Sequence, residues 1–245
     1  MSAPFATARL VLLAAALATS VAAAPPAAGR VTGIVRLAGP VPPPRPPIAA
    51  IVDPDACGPT IPDESLVVDG GGGVRDAVVV LRGVGAPAPA ALPEALIDNT
   101  HCRFAPHVQV VTRGQTVRVR NSDPVLHNTH ATVVADPEVP IANLALAIQG
   151  QTMDLSRRLL AKLPEGHETL VRIGCDVHPW MRGWLVVLDH PYGAVTDAAG
   201  RFAIADVPRG TYTLAVWHEQ LGRGERPVTV RDGEAATADI ELHAP

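Results

Sequence analysis

The sequence predicts an all-β protein. Pro (25) and Gly (21) are frequent among the 245 residues, short runs are rich in Val, and aromatic residues make up only 3% of the chain. Pro and Gly break helices and mark turns, while β-branched residues favour strands. The apolar fraction of 47% suffices for a buried core, which excludes a disordered chain. At roughly 150 residues per domain, the length allows one large domain or two small ones.

The charge balance excludes nucleic acid as an expected partner. The 20 Lys and Arg residues are outnumbered by 24 Asp and Glu residues, and the formal net charge is −4. Lys162 is the only lysine, so the sequence contains no lysine-rich run. A nucleic-acid-binding surface needs a concentration of positive charge.

The first 24 residues have the pattern of a secretory signal peptide. Arg9 is their only charged residue, an apolar run covers residues 10–18, and the small residues 21–24 suit cleavage. A membrane-spanning helix needs about 20 apolar residues, roughly twice this run. We therefore expect residues 1–24 to be removed, leaving a periplasmic or secreted protein with no membrane span.

Strands are predicted in order along the rest of the chain. The ranges are 31–37, 77–81, 107–111, 116–120, 169–174, 184–188, 211–217, 228–230 and 238–242. The run at 77–81 is continuously apolar, as in a strand buried on both faces, whereas Val117 and Val119 alternate with arginines. Residues 143–161 are ambiguous: 152–157 alternates as a strand does, but 143–148 could be helical. We favour strands there.

The chemistry is concentrated in the segment from Cys175 through His178 to Met181, which has the spacing C-x2-H-x2-M. Together with His127 upstream, it offers a thiolate, two imidazoles and a thioether, the soft ligand set of a blue-copper site. One short loop presents three of these side chains to one ion, and His127 joins them from a separate strand. Such a site takes up one electron with little ligand movement, which favours a carrier over a catalyst.

The three cysteines allow three different disulfide pairs, and their spacing does not choose among them. In an exported protein an odd count leaves one thiol for another task. Because the metal-binding pattern surrounds Cys175, we expect Cys57 to pair with Cys102.

Residues 98–189 resemble the cupredoxin family, in particular its amicyanin type. The ligand loop has the same C-x2-H-P-aromatic-M pattern, and the strand Val117-x-Val119-x-Asn121 followed by 127–128 is similar to the region of the first ligand. The resemblance implies a Greek-key β-sandwich with one type 1 copper. Its ligands would be the four residues His127, Cys175, His178 and Met181.

The same resemblance implies roles for three neighbours of the ligands. Asn128 would bond across to the backbone of the ligand loop, although a turn-capping Asn is the simpler alternative. Pro179 has no N–H to donate to the sulfur of Cys175, which should hold the reduction potential down. Trp180 would lie beside the more exposed ligand, His178, in an apolar patch that docks redox partners. The alternative for Trp180 is core packing.

Other histidines are weaker candidates. His130 is three residues from His127, so in an extended strand the two side chains point to opposite faces. We expect His101 and His107 at the surface or near the ligands, and His190 and His218 in structural positions. The 48 residues from His127 to Cys175 exceed the gap in compact cupredoxins, which predicts an additional loop within 135–168.

The C-terminal segments 195–202 and 207–214 resemble the carboxypeptidase regulatory-like domain, a small transthyretin-like β-sandwich. Such domains begin with strands like those at 33–37 and 77–81, which here precede the copper region. We therefore expect the cupredoxin domain, 98–189, to be inserted between two halves of this sandwich, 30–97 and 190–245. A separate C-terminal domain is the alternative, but about 55 residues is small for an independent sandwich.

The leading functional hypothesis is an exported type 1 copper protein, not an enzyme, that carries single electrons between redox partner proteins. One alternative is copper storage or delivery. Another is a carbohydrate- or protein-binding module with structural copper. A multicopper oxidase is disfavoured, because the sequence has no H-x-H motif and only nine histidines.

Overall fold

The computed structural model describes residues 28–85, 92–164, 166 and 168–244. Within these ranges the chain forms 19 strands and two short helices, which confirms the all-β prediction. The predicted signal peptide, residues 1–24, lies outside the described residues. Neither of the described helices is long and apolar enough to cross a membrane.

Every predicted strand outside the ambiguous segment is present, with small shifts at most ends, although the strand predicted at 228–230 already begins at residue 222. The strands in chain order are β1 (Gly29–Leu37), β2 (Ile48–Ala49), β3 (Thr60–Ile61), β4 (Val78–Arg82), β5 (Ala95–Thr100), β6 (Arg103–Ala105), β7 (Val108–Thr112), β8 (Val117–Asn121), β9 (His127–Val133), β10 (Val139–Leu146), β11 (Thr152–Asp154), β12 (Thr169–Gly174), β13 (Arg182–Leu188), β14 (Gly193–Val195), β15 (Arg201–Val207), β16 (Gly210–His218), β17 (Gly222–Val230), β18 (Ala235–Thr237) and β19 (Ile240–Leu242). The helices are α1 (Pro54–Cys57) and α2 (Ser156–Lys162).

The first sandwich joins strands from both ends of the chain. One sheet has the order β15-β1-β18, with β19 also pairing with β1, and the other has the order β14-β4-β16-β17. β1 is antiparallel to β15 and parallel to β18 and β19, while β4 is antiparallel to β14 and β16. Strands that precede residue 83 therefore share sheets with strands that follow residue 192. Their shared core includes Val35, Leu81, Phe202 and Leu214.

The second sandwich lies between β4 and β14 in the chain. Its sheets have the orders β10-β9-β12-β13-β7 and β11-β8-β5-β6. In β8, Val117 and Val119 are buried while Arg118 and Arg120 are more exposed, as the alternation predicts. The core between the sheets includes Phe104, Val119, Ile173 and Leu185.

The preference for strands throughout 143–161 was wrong from residue 156 onward. β10 and β11 cover part of the segment, but α2 follows. Leu155, Leu159 and Leu163 are buried at intervals of four residues, which is the apolar face of a helix. The apparent alternation at 152–157 hid this longer period. The additional segment expected at 135–168 thus consists largely of β10, β11 and α2.

β4 explains how the two sandwiches contact each other. Its side chains Val79 and Leu81 enter the core of the first sandwich. Val78 and Val80, on the opposite face, pack with residues of the second sandwich such as Val186. The strand is continuously apolar because both of its faces are covered.

Residues 48–61, which we call the strap, run from β2 through α1 to β3 and lie between β1 and β4 in the chain. A disulfide joins Cys57 in α1 to Cys102 in the turn between β5 and β6, with a Cα–Cα distance of 5.3 Å. The predicted pairing is therefore confirmed, and Cys175 is free and buried. The bridge holds the strap against the second sandwich.

Candidate metal centre

Two neighbouring strands bring the predicted ligands to one end of the larger sheet. His127 begins β9, and Cys175 follows the last residue of β12, which is antiparallel to β9. Between β12 and β13 the chain turns back in a short loop. In this loop the Met181 N–H donates to the His178 carbonyl at 2.9 Å, and the Cys175 N–H donates to the Met181 carbonyl at 3.4 Å.

Three of the four predicted ligands present their donor atoms to one another. Nδ1 of His127 lies 3.1 Å from Nδ1 of His178, and the latter atom lies 3.7 Å from Sγ of Cys175. Both histidines are completely buried, and Cys175 is 6% exposed. Metal–nitrogen and metal–sulfur bonds of roughly 2.0–2.3 Å around one ion are compatible with such spacings. These donors fit a bound metal.

Both imidazoles are held from behind by a carboxylate. Nε2 of His127 lies 3.0 Å from Oδ2 of Asp123, and Nε2 of His178 lies 3.1 Å from Oδ2 of Asp53. Metal-binding histidines commonly donate their second ring N–H to such an acceptor, which orients the ring and increases its basicity. With both Nε2 atoms engaged, the two Nδ1 atoms remain to face Cys175.

Sequence reasoning missed both carboxylates. Asp123 lies four residues before His127, and an acidic residue so close to a candidate ligand is a weak signal that could have been used. Asp53 belongs to the strap, 125 residues before His178, and no local pattern connects the two.

The backbone of the turn at 101–102 cradles Asp123. The N–H groups of His101 and Cys102 donate to Oδ1 and Oδ2 of Asp123 at 2.7 and 2.8 Å. Both residues have left-handed backbone angles, with φ of 51° and 50°. Successive N–H groups directed to one side form a concave site for an anion. His101 thus supports the centre through its main chain, while its ring contacts Thr100.

The local electrostatics favour the thiolate form of Cys175. Burial alone would lower the pKa of His127, but Asp123 and Cys175 raise it to about 9. Burial alone would raise the pKa of Cys175, yet hydrogen bonding, foremost from His127, holds it below its usual value. Burial and the neighbouring His127 lower the pKa of His178. The thiol is thereby made easier to ionise, and the thiolate is the form that binds metals.

Asn128 connects the two ligand segments. Its Oδ1 accepts the N–H of Asp176 at 2.7 Å, and its Nδ2 donates to Oδ1 of Asn143 and Oδ2 of Asp176 at 2.7 and 2.9 Å. The Sγ of Cys175 lies 3.2 Å from the same Oδ1. Together, the contacts of Asn128 with Asp176 and Cys175 join β9 to the loop that carries the thiol.

The other predicted residues of the loop lie around this group. Met181 is 2% exposed and belongs to the same core cluster as Cys175, and its role as fourth ligand stays a prediction. Pro179 is exposed, and Trp180 is half-buried. Pro179, Trp180 and Met181 line a cavity of about 430 Å³ between the loop, the strap and the first sandwich.

The expectation that His178 is more exposed than the other ligands was wrong, since it is as completely buried as His127. The strap covers it, because Asp53 bonds to its Nε2 atom. The ring of Trp180 lies edge-on at 5.2 Å from that of His178, and its Nε1 donates to the Cys102 carbonyl at 3.1 Å. A docking role for Trp180 therefore stays a prediction.

His130, His107 and His218 lie outside this donor group. His130 bonds to Oδ1 of Asp176 at 3.0 Å and is partly exposed, whereas His127 on the same strand is buried. His107, expected at the surface or near the ligands, is buried in an ion pair with Glu219, and His218 is buried in the first sandwich.

Comparison with known proteins bears on both sandwiches. Residues 182–243 match the carboxypeptidase regulatory-like domain. The match begins in β13, somewhat before the boundary expected at 190, and it includes the C-terminal strands of the first sandwich. β1 and β4, which pair with strands inside the matched range, lie outside it.

The solved structures that resemble the chain include cupredoxins. A variant of amicyanin in its oxidised state is 22% identical, with 52% of this chain and 96% of amicyanin covered and a TM-score of 0.30. A purple cupredoxin from Nitrosopumilus maritimus is 20% identical, with coverage of 38% and 98% and a TM-score of 0.28.

A copper-containing nitrite reductase from Thermus scotoductus SA-01 is 21% identical. The match covers 44% of this chain but only a quarter of the reductase, with a TM-score of 0.30. TM-scores this low carry no argument about function. No curated protein matches the chain significantly.

Proposed function

We propose that this protein is an exported one-electron carrier with a single type 1 copper centre. The ligands are His127, Cys175, His178 and Met181. The observation that carries the proposal is the arrangement of the two imidazoles, whose Nδ1 atoms face the Cys175 sulfur while carboxylates hold their Nε2 atoms.

The donor set favours copper over harder metals. Thiolate and thioether sulfur favour Cu(I), while imidazole nitrogen also suits Cu(II). Copper, when bound, supplies the one-electron chemistry. The protein fixes the positions of the donor atoms. Asp53 and Asp123 orient the imidazoles, and Asn128 connects the loop that carries Cys175 to β9. A site held in this way changes little between oxidation states, which suits a carrier and not an enzyme.

The compartment and the partners belong to the same proposal. The signal-peptide pattern at 1–24 and the Cys57–Cys102 disulfide both favour export to the periplasm or beyond, because disulfides persist in oxidising compartments. The partners are redox proteins, for which Trp180 offers a half-buried aromatic surface beside His178.

We further propose that the copper domain, 98–189, is an insertion in the regulatory-like sandwich, whose halves are 30–97 and 190–245. The pairing of β1 with β15 and of β4 with β16 supports this division, because each pair joins one half to the other across the inserted chain.

The covered position of His178 favours a second candidate, a binding module in which copper is structural. A ligand shielded by the strap offers a partner protein no direct contact with its ring edge. Copper storage or delivery is the remaining alternative, and it requires tight Cu(I) binding rather than rapid electron exchange.

Titration of the metal-free protein with Cu(II) tests these functions. We expect an intense blue absorption band that disappears on reduction and returns on reoxidation. Cys175→Ser should abolish the band, and His130→Ala, on the same end of the sheet but outside the donor group, should retain it. Tight Cu(I) binding without the band would indicate delivery. A band without reversible reduction would indicate structural copper, and no copper binding would overturn the proposal.

A further inference from the structure

We propose that Cys57, Cys102 and His178 form a second ligand set, specific for Cu(I), when a dithiol reductant opens the disulfide. The two sulfurs and one ring nitrogen of His178 all lie within 4.8 Å of one another. The Cys102 sulfur also lies within 4.8 Å of donor atoms of Asp123 and His127. The bridge thus lies directly against both histidines of the first site.

Cys102 is held in place independently of the disulfide bond. Its N–H donates to Oδ2 of Asp123, which in turn contacts His127. Its carbonyl accepts the Nε1–H of Trp180. These contacts keep Cys102 beside His178 after the sulfur–sulfur bond is broken.

Cys57 is tied to His178 through Asp53. The Cys57 N–H donates to the Asp53 carbonyl at 2.9 Å, and the carboxylate of Asp53 contacts His178. The strap therefore presents the second sulfur to the same imidazole.

Backbone strain is concentrated at this place. In the described part of the chain, five residues other than Gly have positive φ, and three of them are Asp53, His101 and Cys102. Such conformations cost free energy and cluster at functional sites. These three positions therefore lie beside the disulfide and the two histidines.

The chemistry is a thiol–disulfide exchange followed by metal binding. One thiolate of the dithiol attacks the Cys57 sulfur, the more exposed of the pair, and Cys102 leaves as a thiolate. The second thiol of the reductant then displaces Cys57, so the reductant becomes a disulfide and supplies both electrons. Its two protons pass to the cysteines or to water. Cu(I) binding releases the protons that the cysteines hold, and two thiolates with one imidazole form a soft set that favours Cu(I).

The test uses the full-length Cys175→Ser protein, which lacks the thiolate of the first site. Its affinity for Cu(I) is measured by competition with bicinchoninate, before and after reduction with dithiothreitol and its removal without oxygen. We expect reduction to lower the Kd at least tenfold, with one copper per chain and two sulfur neighbours in X-ray absorption. Adding Cys57→Ser should abolish the gain.

Two further variants separate an organised site from loose thiols. The gain should be lost in Cys175→Ser/His178→Gln and retained in Cys175→Ser/His107→Gln, where a buried histidine outside the group is changed. If the gain in Cu(I) affinity persists in the His178→Gln variant, as it would with thiols of an unfolded chain, the proposal is overturned. It is also overturned if reduction leaves the Cu(I) affinity unchanged. Neither result predicts whether the unmutated protein shows the blue band. The proposed function is therefore tested separately, by that band.

Discussion

Oδ2 of Asp53 lies 3.1 Å from Nε2 of His178, although the two residues are 125 positions apart in the sequence. Asp53 belongs to the strap between β1 and β4 of the first sandwich, and His178 belongs to the loop that carries the proposed copper ligands. A part of one sandwich therefore completes the surroundings of a ligand in the other. The two sandwiches are coupled at the proposed metal centre.

Asp53→Asn should weaken copper binding roughly 10- to 100-fold, as is typical when the carboxylate behind a metal-binding histidine is lost. Asn tolerates the left-handed backbone of this position, where φ is 46°, so the strap should keep its course. The measurement is chelator competition with the metal-free protein. Asp55→Asn, in the helix α1 that directly follows Asp53, is the matched control. Equal affinities in the two variants would show that Asp53 does not orient His178.

Asn128→Ala should lower the free energy of unfolding by about 1–3 kcal/mol, because it leaves the Asp176 N–H without its buried acceptor. Denaturant unfolding of the metal-free protein measures this loss. His130→Ala, which removes a more exposed contact with the same aspartate, should cost less. If the two variants lose the same amount, Asn128 is not an anchor of the ligand loop.

Cys57→Ala should lower the thermal stability while the visible copper band remains. The disulfide closes a loop of 45 residues, for which the chain-entropy model gives up to roughly 4 kcal/mol. The four proposed ligands do not include Cys57, so the band should persist in the variant. Calorimetry of the copper-loaded protein measures the thermal stability, and its absorption spectrum shows whether the copper band remains. Disappearance of the band would mean that the strap is required to form the centre.

The stability should fall as the pH decreases from 6.5 towards 4, because burial lowers the pKa of His218 to about 4. The unfolded chain binds a proton at this histidine in that interval and the folded protein does not, so protonation favours unfolding. A shift of this size corresponds to about 3 kcal/mol. The measurement is denaturant unfolding across this pH range.

His218→Gln should flatten this dependence, and His243→Gln, at an exposed position, should leave it unchanged. His107 has the opposite effect on the pH dependence of stability, and it acts above pH 6.5. Burial alone would lower its pKa, but Glu219 raises it, so its contribution is present below pH 6.5 and lost at higher pH. A wild-type profile that is level from pH 4 to 6.5 would contradict the assignment of His218.

Some features could be predicted because they depend on neighbours in the sequence. The alternation of Val117 and Val119 with arginines, and the continuous apolar run of β4, reveal strands whose burial the structure confirms. The loop from Cys175 to Met181 is a local feature as well, since three candidate ligands lie within seven residues. β9 escaped prediction because its first four residues, from His127 to His130, are polar and hide its buried face.

The sequence alone thus determined the all-β class and the group of candidate ligands, because spacing and composition are properties of short segments. The disulfide could be inferred only by elimination, since the metal-binding pattern surrounds Cys175. Only the tertiary structure decided that Asp53 and Asp123 hold the imidazoles, that the strap covers His178 and that the disulfide lies against both histidines. The physical reason is that a hydrogen bond between distant residues depends on where whole sheets pack. No local preference of the chain encodes that distance.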